Sequence, residues 1–368
     1  MSGNKSEFYR GKRKKTGPAL IVSIVVLSLI AFVILLFYGL QKYIVVTNSG
    51  LYLDLPILSD KQSVQSDDDG SAMREFEQVN AELVIGEPDY TNVRATAGEG
   101  LGELKAVLVP ADQINADSIN AYAESLGKGN TLLLDLKTVT GMLVWKSDTE
   151  IAKGYGTSGT VDLKPIISSL HEKKIKVAVR LCCFVDNTLA SRYEQLTLRK
   201  STGEAFSDDN GAWLHPTNSV VRDYIISLCK ELDAMGFDEI LLTNVRLPSE
   251  AAGAFMYGSA TTGAPTPLTA VSGFALDIAR GLKRTDVVLS VQLNSETALQ
   301  SGEDSANGQN LALLMKVYDR VYCNCTLGGA AASVSAAARF VELGDANMRL
   351  VPMVYAQAPE TSCWVVTS

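Results

Sequence analysis

The sequence predicts a (β/α)₈ barrel, and three observations support this fold class. From Glu103 onward, apolar runs of strand length alternate with amphipathic helical patterns, which is the element order of such a barrel. The runs are mostly continuous in apolar residues, as expected for parallel strands buried on both faces. No Gly-x-Gly-x-x-Gly follows any of these runs. A doubly wound open sheet that binds a dinucleotide is therefore the weaker alternative.

The predicted elements follow one another with short connections. The strands are 104–110, 131–137, 176–184, 237–248, 287–293, 320–325, 349–355 and 363–367. The helices are 117–126, 162–172, 220–234, one that ends at Lys283, and 330–343, with Asp117 as the first N-cap. Only residues 356–362 separate the last two strands, whereas a parallel crossover normally needs a dozen or more residues. We therefore expect an irregular or incompletely closed barrel near strands seven and eight.

The stretch 237–248 is the most informative of the predicted strands. Its centre is mostly apolar, and it lies between Gly236 and Pro248, which is typical of a buried parallel strand. Chemistry in a barrel of this type takes place at the C-terminal strand ends. Here that end carries Thr243, Asn244 and Arg246. The sequence thus predicts a polar, positively charged site without a carboxylate on this strand.

The first forty residues predict a membrane anchor. A basic cluster precedes an uncharged apolar run, Ala19 to Tyr38. A helix of about 20 residues is long enough to cross the hydrocarbon core of a bilayer. The run is too long for a cleaved signal peptide and lacks a small-residue cleavage site. The positive-inside rule places the N-terminus in the cytoplasm. We therefore expect a single-pass cell-membrane protein with a basic tail (1–18), a transmembrane helix (19–40), an extracytoplasmic hairpin and flexible stem (41–102), and a barrel (103–368).

Composition excludes several classes of function. Residues 1–42 carry seven Lys or Arg and one Glu, whereas the rest carries 26 Lys or Arg and 40 Asp or Glu. An acidic body argues against nucleic acid as a partner. The chain has two histidines and six cysteines without a Cys-x-x-Cys pair, so we expect neither a metal site nor a cofactor. Most of the cysteines are expected to be buried apolar residues, and protein partners stay open.

Several short motifs together resemble the "putative glycoside hydrolase domain" family. They are Leu134-Asp135-Leu136-Lys137, Val179-Arg180 with Phe184 and Asp186, Ala212-Trp213-Leu214 with Pro216 and Asn218, and Gly236-Phe237-Asp238-Glu239-Ile240 with Val245-Arg246 and Pro248. The register is good from about Leu104 to Pro248 and weaker beyond. The resemblance implies a TIM-type barrel and carbohydrate, such as cell-envelope glycan, as the substrate class.

The sequence departs from the family pattern at the positions that matter for hydrolysis. The family usually has an acidic residue at the position of Thr243 and another near Gln292, and its late motifs are replaced around 321–326 and near Tyr355 and Ala356. Glycoside hydrolysis normally needs two carboxyl groups, about 5–10 Å apart. Neither Thr nor Gln can replace a carboxyl group as nucleophile, base or acid.

The carboxylates that remain as catalytic candidates are Asp135, Asp186 and Glu296. Each also has a structural interpretation. Asp135 could form an ion pair at the barrel mouth with Lys137, which lies on the same strand face. Asp186 could cap a loop or bind Arg180, and Glu296 could belong to a helix N-cap region. The candidate substrate-binding residues are Lys137, Arg180, Trp213, Thr243, Asn244, Arg246 and Gln292. Arg246 could instead form a salt bridge with Asp238 or a neighbouring strand. Trp213 and Trp145 could stack on sugar faces, and Trp213 is equally compatible with a packed core residue.

Three hypotheses of function follow. The first is a membrane-anchored barrel that binds glycan with hydrolysis lost or impaired. The second is an active glycoside hydrolase with a relocated carboxylate pair. The third is a non-catalytic scaffold of a cell-envelope complex, which an exposed apolar patch beside a filled barrel mouth would favour.

Overall fold

The computed structural model describes residues 27, 44–47, 50–53, 100–200, 202–248, 255–256, 266–283, 286–341 and 343–367. The chain divides into two compact units, 1–82 and 83–368. In the first unit, Ile44–Thr47 and Gly50–Leu53 form an antiparallel hairpin, as the sequence predicted. The predicted membrane anchor, 19–40, lies outside the described residues except for Leu27. Within the described part of the chain, no helix is both long and apolar enough to cross a membrane.

Eight parallel strands of the second unit form a closed barrel. They are β1 (Leu104–Val109), β2 (Thr131–Lys137), β3 (Lys176–Cys182), β4 (Glu239–Thr243), β5 (Val288–Leu293), β6 (Arg320–Asn324), β7 (Leu350–Tyr355) and β8 (Cys363–Thr367). Each strand pairs in parallel with the next, and β8 pairs with β1. The predicted (β/α)₈ architecture is confirmed for this part of the chain.

Helices and short strand pairs connect the barrel strands. The helices are α1 (Ala116–Leu126), α2 (Glu150–Tyr155), α3 (Lys164–Glu172), α4 (Asn187–Arg192), α5 (Ser219–Met235), α6 (Pro267–Gly281), α7 (Glu296–Ser301), α8 (Leu311–Val317), α9 (Ala330–Ala337) and α10 (Leu343–Arg349). Single 3₁₀ turns occur at Ala111–Gln113, Glu194–Leu196 and Leu327–Gly329, and two-residue strands pair at Arg199–Lys200 with Phe255–Met256, Ser207–Asp208 with Gly211–Ala212, and Glu303–Asp304 with Gln309–Asn310.

The N-cap of α1 corrects one prediction. Asn115, not Asp117, caps this helix, and its side chain accepts a hydrogen bond from the Ser118 amide at 3.0 Å. Asp117 lies inside the first turn, where a carboxylate still favours the positive end of the helix dipole. Both residue types favour caps and first turns, so the sequence pattern alone does not separate the two positions.

Two apolar layers hold the barrel together. Alternate residues such as Ala106, Leu133, Ala178 and Leu241 fill the barrel interior. The intervening residues, such as Leu132 and Leu134, pack outward in the larger core that includes residues of the surrounding helices. Because each strand is buried on both faces, its sequence is apolar without a clear period of two.

The closure between β7 and β8 differs from expectation. Residues 356–362 connect two strands that pair directly, with Met353 opposite Val365. Tyr355 ends β7, and Cys363 begins β8 only four positions lower in this register, a return of about 13 Å at strand rise. Seven residues can span more than 20 Å when extended. The predicted gap is therefore wrong, because a return without a helix is long enough to close the barrel.

A buried charged network fills the N-terminal end of the barrel. The Arg320 Nη1 atom donates to Glu239 Oε2 at 2.6 Å, and the hydroxyls of Ser290 and Tyr322 both donate to Glu239 Oε1 at 2.6 Å. Arg320 also donates to the carbonyl oxygens of Gly102 and Met348. We call Glu239, Ser290, Arg320 and Tyr322 the barrel plug. Each polar group of these four side chains takes part in at least one of these hydrogen bonds. The barrel plug fixes β4, β5 and β6 to one another.

Candidate functional site

The C-terminal strand ends bring most of the predicted site residues to one mouth. Asp135 and Arg180 lie near the ends of β2 and β3, Thr243 ends β4, and Gln292 and Asn324 lie at the ends of β5 and β6. All five side chains are polar, whereas the layer below them is largely apolar. The mouth is therefore the region where the barrel can bind a polar ligand.

Asp135 and Arg180 form an ion pair across β2 and β3. They lie opposite each other in the strand register. The Arg180 Nε atom donates to Oδ1 of Asp135 at 3.1 Å, and Nη2 donates to Oδ2 at 2.5 Å. This two-point contact engages both carboxylate oxygens. A ligand at the mouth would therefore compete with Arg180 for the Asp135 oxygens.

Lys137 and Asp186 form a second ion pair that is fully buried. Lys137 Nζ lies 2.8 Å from Asp186 Oδ2, and both side chains have no exposed surface. Lys137 Nζ also donates to the Cys182 carbonyl at 2.8 Å, while Asp186 Oδ1 accepts from the Leu189 amide as the N-cap of α4. Asp186 is thus a structural cap that a glycosidic bond cannot reach.

A register shift separates the two ion pairs. The pairing of β2 with β3 is irregular between Asp135 and Lys137, so that Lys137 lies opposite Leu181. The predicted ion pair of Asp135 with Lys137 is therefore wrong: Asp135 pairs with Arg180, and Lys137 pairs with Asp186. The predicted contact between Asp186 and Arg180 is replaced by the Lys137 contact.

Burial and the neighbouring carboxylate shift the pKa of Lys137 in opposite directions. Desolvation by burial lowers the pKa of Lys137, but the Asp186 carboxylate and smaller contributions from Cys182 and Tyr224 outweigh it, so the pKa lies above its ordinary value. Lys137 is therefore protonated and charged, and Asp186 compensates this charge.

Gly141 leaves the space that Asp186 occupies, which leads to a prediction. A Cβ atom at Gly141 would lie 1.8 Å from Asp186 Oδ1, and the backbone φ is +85°. Gly141→Ala is expected to lower the free energy of unfolding by about 2–4 kcal/mol through steric displacement and backbone strain. Gly127→Ala is the matched control, because Gly127 has φ +79° and no atom near the added Cβ. Equal losses in chemical denaturation of both variants would contradict a steric role for Asp186.

The polar side chains at the end of β4 and just after it form hydrogen bonds with other groups of the protein. Thr243 Oγ1 donates to the Leu181 carbonyl at 3.3 Å, and Asn244, with φ +52°, donates through Nδ2 to Cys182 Sγ at 3.1 Å. Arg246 donates to the Leu247 carbonyl at 3.1 Å, and its guanidinium carbon lies 5.0 Å from the Trp213 ring centroid. Burial lowers the pKa of Arg246, partly offset by Asp208, Cys182 and Asp304.

Two predicted contacts in this region change. Asp238 binds the His171 ring and the Val177 amide, at 2.9 and 2.7 Å, rather than Arg246. Trp213 is fully buried, and its Nε1 donates to Asp208 at 2.8 Å. Trp145 is buried as well and donates to Glu231. Neither indole presents a ring face to solvent in this structure, because both pack in the apolar layer outside the barrel.

A cavity of about 620 Å³ opens between the C-terminal ends of β5 and β6, which we call the mouth cavity. Its lining is rich in neutral hydrogen-bonding groups: Asn294, Ser295, Gln300, Asn324, Thr326 and Ser333. Glu296 is the only carboxylate among the lining residues. Gln292 Nε2 donates to Asn324 Oδ1 at 3.2 Å, which orients the exposed Asn324 side chain beside the cavity. The volume is within the usual range for small-ligand sites.

Tyr355 is the most exposed large hydrophobic residue among the described barrel residues. It ends β7, the strand next to β6, and is 75% exposed. Sequence reasoning missed both Tyr355 and Asn324 as binding candidates. Their position at the ends of predicted strands was an available signal, because strand ends at this side of the barrel form the site.

Comparison with known proteins gives one family match and several structural matches. The family described as "putative glycosyl hydrolase domain" matches residues 113–324. No curated protein matches. A hypothetical protein from Ruminiclostridium thermocellum is 24% identical, covers 50% of this chain and 96% of its own, and has a TM-score of 0.45. The PgaB (BpsB) glycoside hydrolase domain from Bordetella bronchiseptica is 12% identical, covers 72% and 93%, and has a TM-score of 0.52.

The structural likeness supports the barrel fold, and the sequence match identifies the family. The matched region spans most of the barrel, from the turn after β1 to the end of β6. It includes the ion pairs of Asp135 and Asp186 and part of the mouth cavity. This chain belongs to the "putative glycosyl hydrolase domain" family.

Proposed function

We propose that this protein is a membrane-anchored, glycan-binding member of its family in which hydrolysis is lost. The observation that carries the proposal is the state of the three candidate carboxylates. Asp135 is bound at both oxygens by Arg180, Asp186 is fully buried against Lys137, and Glu296 is exposed in the first turn of α7. Hydrolysis needs an accessible acid and a second carboxylate across one bond. Glu296 alone has the accessibility that the acid needs.

The mouth cavity supports glycan as the ligand. Sugars present many neutral hydroxyl groups, and the cavity offers amide and hydroxyl partners just after β5 and on β6, α7 and α9. Tyr355 adds an exposed aromatic face at the end of the adjacent strand. An aromatic ring beside polar groups suits a sugar, which has apolar faces and polar edges. Arg180 contributes a cation near the same mouth that is partly neutralised by Asp135.

Binding is tested by changing Tyr355. Tyr355→Ala is expected to weaken binding to a glycan found by array screening by about tenfold, or 1.4 kcal/mol. Stability should change little, because the side chain is mostly exposed. Tyr355→Phe is the matched control and should retain affinity, since the ring face remains. Isothermal titration calorimetry of the full chain measures both. An unchanged affinity in Tyr355→Ala would remove this residue from the site, and the absence of any glycan ligand would overturn the proposal.

Active hydrolysis is the alternative, and the position of Asp135 and Glu296 at the same end of the barrel favours testing this pair. Release of reducing sugar from the bound glycan is measured for the unmodified protein and for Glu296→Gln and Asp135→Asn. Turnover that both substitutions abolish would replace the binding proposal with a hydrolase. Turnover of the unmodified protein that does not exceed that of these two variants supports the loss of hydrolysis.

The location rests on the basic cluster and the apolar run of residues 19–40. We expect the full chain to sediment with membranes and to resist extraction by high salt. Protease added to intact cells should digest the barrel, since the barrel follows the anchor on the outer side. A barrel protected from protease in intact cells would contradict this orientation.

A further inference from the structure

The six cysteines are all within the described residues, and they differ in environment. Cys182, Cys183, Cys229, Cys323 and Cys363 are buried, whereas Cys325 is partly exposed. Cys325 lines the mouth cavity, and Cys323, two residues earlier on β6, lies beside it. None of the six forms a disulfide in this structure. A buried thiol next to an accessible thiol is the arrangement of a resolving and an attacking cysteine.

The surroundings of Cys325 favour its thiolate. The neighbouring Cys323 thiol, with a smaller effect of Ser333, lowers the pKa of Cys325 to about 7, although burial acts in the opposite direction. The contact between the two thiols raises the pKa of Cys323, so that Cys323 retains its proton. The single carboxylate that lines the cavity, Glu296, is on α7.

The start of α9 adds to this effect. Cys325 Cβ lies 3.9 Å from the position of a Cβ at Gly329, the residue before α9, and Ser333 is in the first turn of that helix. No side chain caps this helix, and the positive end of its dipole favours a nearby anion. Low thiol pKa, partial exposure and a helix N-terminus together are typical of a reactive cysteine.

We propose that Cys323 and Cys325 form a dithiol that exchanges with small-molecule disulfides entering the mouth cavity. The Cys325 thiolate attacks one sulfur of a disulfide, RSSR, which forms a Cys325–S–S–R bond and releases RS⁻. Cys323 then loses its proton to solvent and attacks Cys325 Sγ, which forms the Cys323–Cys325 bond and releases a second RS⁻. Two electrons pass from the dithiol to RSSR, which is reduced to two RSH.

The geometry also predicts that this bond is easily reduced. Two residues apart on an extended strand corresponds to about 6.5 Å between Cα atoms, near the upper end of the range for disulfides, about 4.4–6.8 Å. Cys325 directly follows the last residue of β6, and its amide donates to the Met353 carbonyl of β7 at 3.0 Å. A bond at this limit belongs to the labile class rather than to structural disulfides. The exchange stands independently of glycan binding, so failure of one test leaves the other unaffected.

Oxidised glutathione is the probe, and the full chain is analysed by mass spectrometry of its peptides without reduction. The unmodified protein is expected to form the Cys323–Cys325 disulfide, and Cys323→Ser is expected to stop at one glutathione attached to Cys325. Cys325→Ser should remain unmodified, as should Cys229, the buried internal control. Alkylation of Cys325 by iodoacetamide should reach half its maximal rate near pH 7. Modification of Cys325 no faster than Cys229, or a stable mixed disulfide in the unmodified protein, would overturn the proposal.

Discussion

Arg320→Met is expected to lower the free energy of unfolding by about 3–5 kcal/mol, the cost of leaving one buried charge without its partner. The substitution removes the Arg320 contacts of the barrel plug and leaves Glu239 buried with only the Ser290 and Tyr322 hydroxyls. It also leaves the carbonyl oxygens of Gly102 and Met348 without this donor. Urea denaturation measures the effect.

An exposed ion pair is the control for Arg320. Lys105 and Glu103 lie 3.0 Å apart with both side chains about half exposed. Lys105→Met is therefore expected to change stability by less than about 1 kcal/mol. If Arg320→Met cost no more than Lys105→Met, the barrel plug would not contribute to stability in the way its burial implies.

Lys137→Met is the second substitution with a large expected effect. It leaves the fully buried Asp186 carboxylate without its cation, and we expect a loss of about 3–5 kcal/mol. The Cys182 carbonyl loses a donor as well. Thermal or urea unfolding of the purified chain measures the change.

A double variant separates the ion pair from side-chain packing. Asn at position 186 keeps an oxygen that can accept from the Leu189 amide while removing the charge. Lys137→Met with Asp186→Asn is therefore expected to be more stable than Lys137→Met alone. A double variant that is less stable than Lys137→Met would contradict the uncompensated Asp186 charge as the cause of the loss.

The strands were predictable because their apolar runs are long and are bounded by polar segments or glycine. Predicted and observed limits agree at 131–137 and 363–367, and differ by one or two residues at most other strands. The stretch 237–248 was the main exception. Its strand ends at Thr243, where Asn244 adopts a positive φ and turns the chain. Apolar Val245 and Leu247 are buried beyond the strand, so burial alone does not mark its end.

Side-chain partners were far less predictable than strands. Glu239 and Arg320 are 81 residues apart, and their contact depends on the register of three strands. The irregularity between Asp135 and Lys137 has no mark in the sequence, although it decides which residue pairs with Arg180 and which with Asp186. Trp213 was equally compatible with a binding surface and a core, because an indole suits both.

The pairing of β8 with β1 has a consequence for how the protein is made. Leu104 and Cys363 are in contact although 259 residues separate them. Contacts between residues so far apart in the sequence form late, and they make folding slower. During synthesis, β1 leaves the ribosome long before its partner exists, so one edge of the growing sheet stays without its neighbour until residue 367 has been added. This edge is the segment most in need of protection from aggregation before the ring of strands is complete.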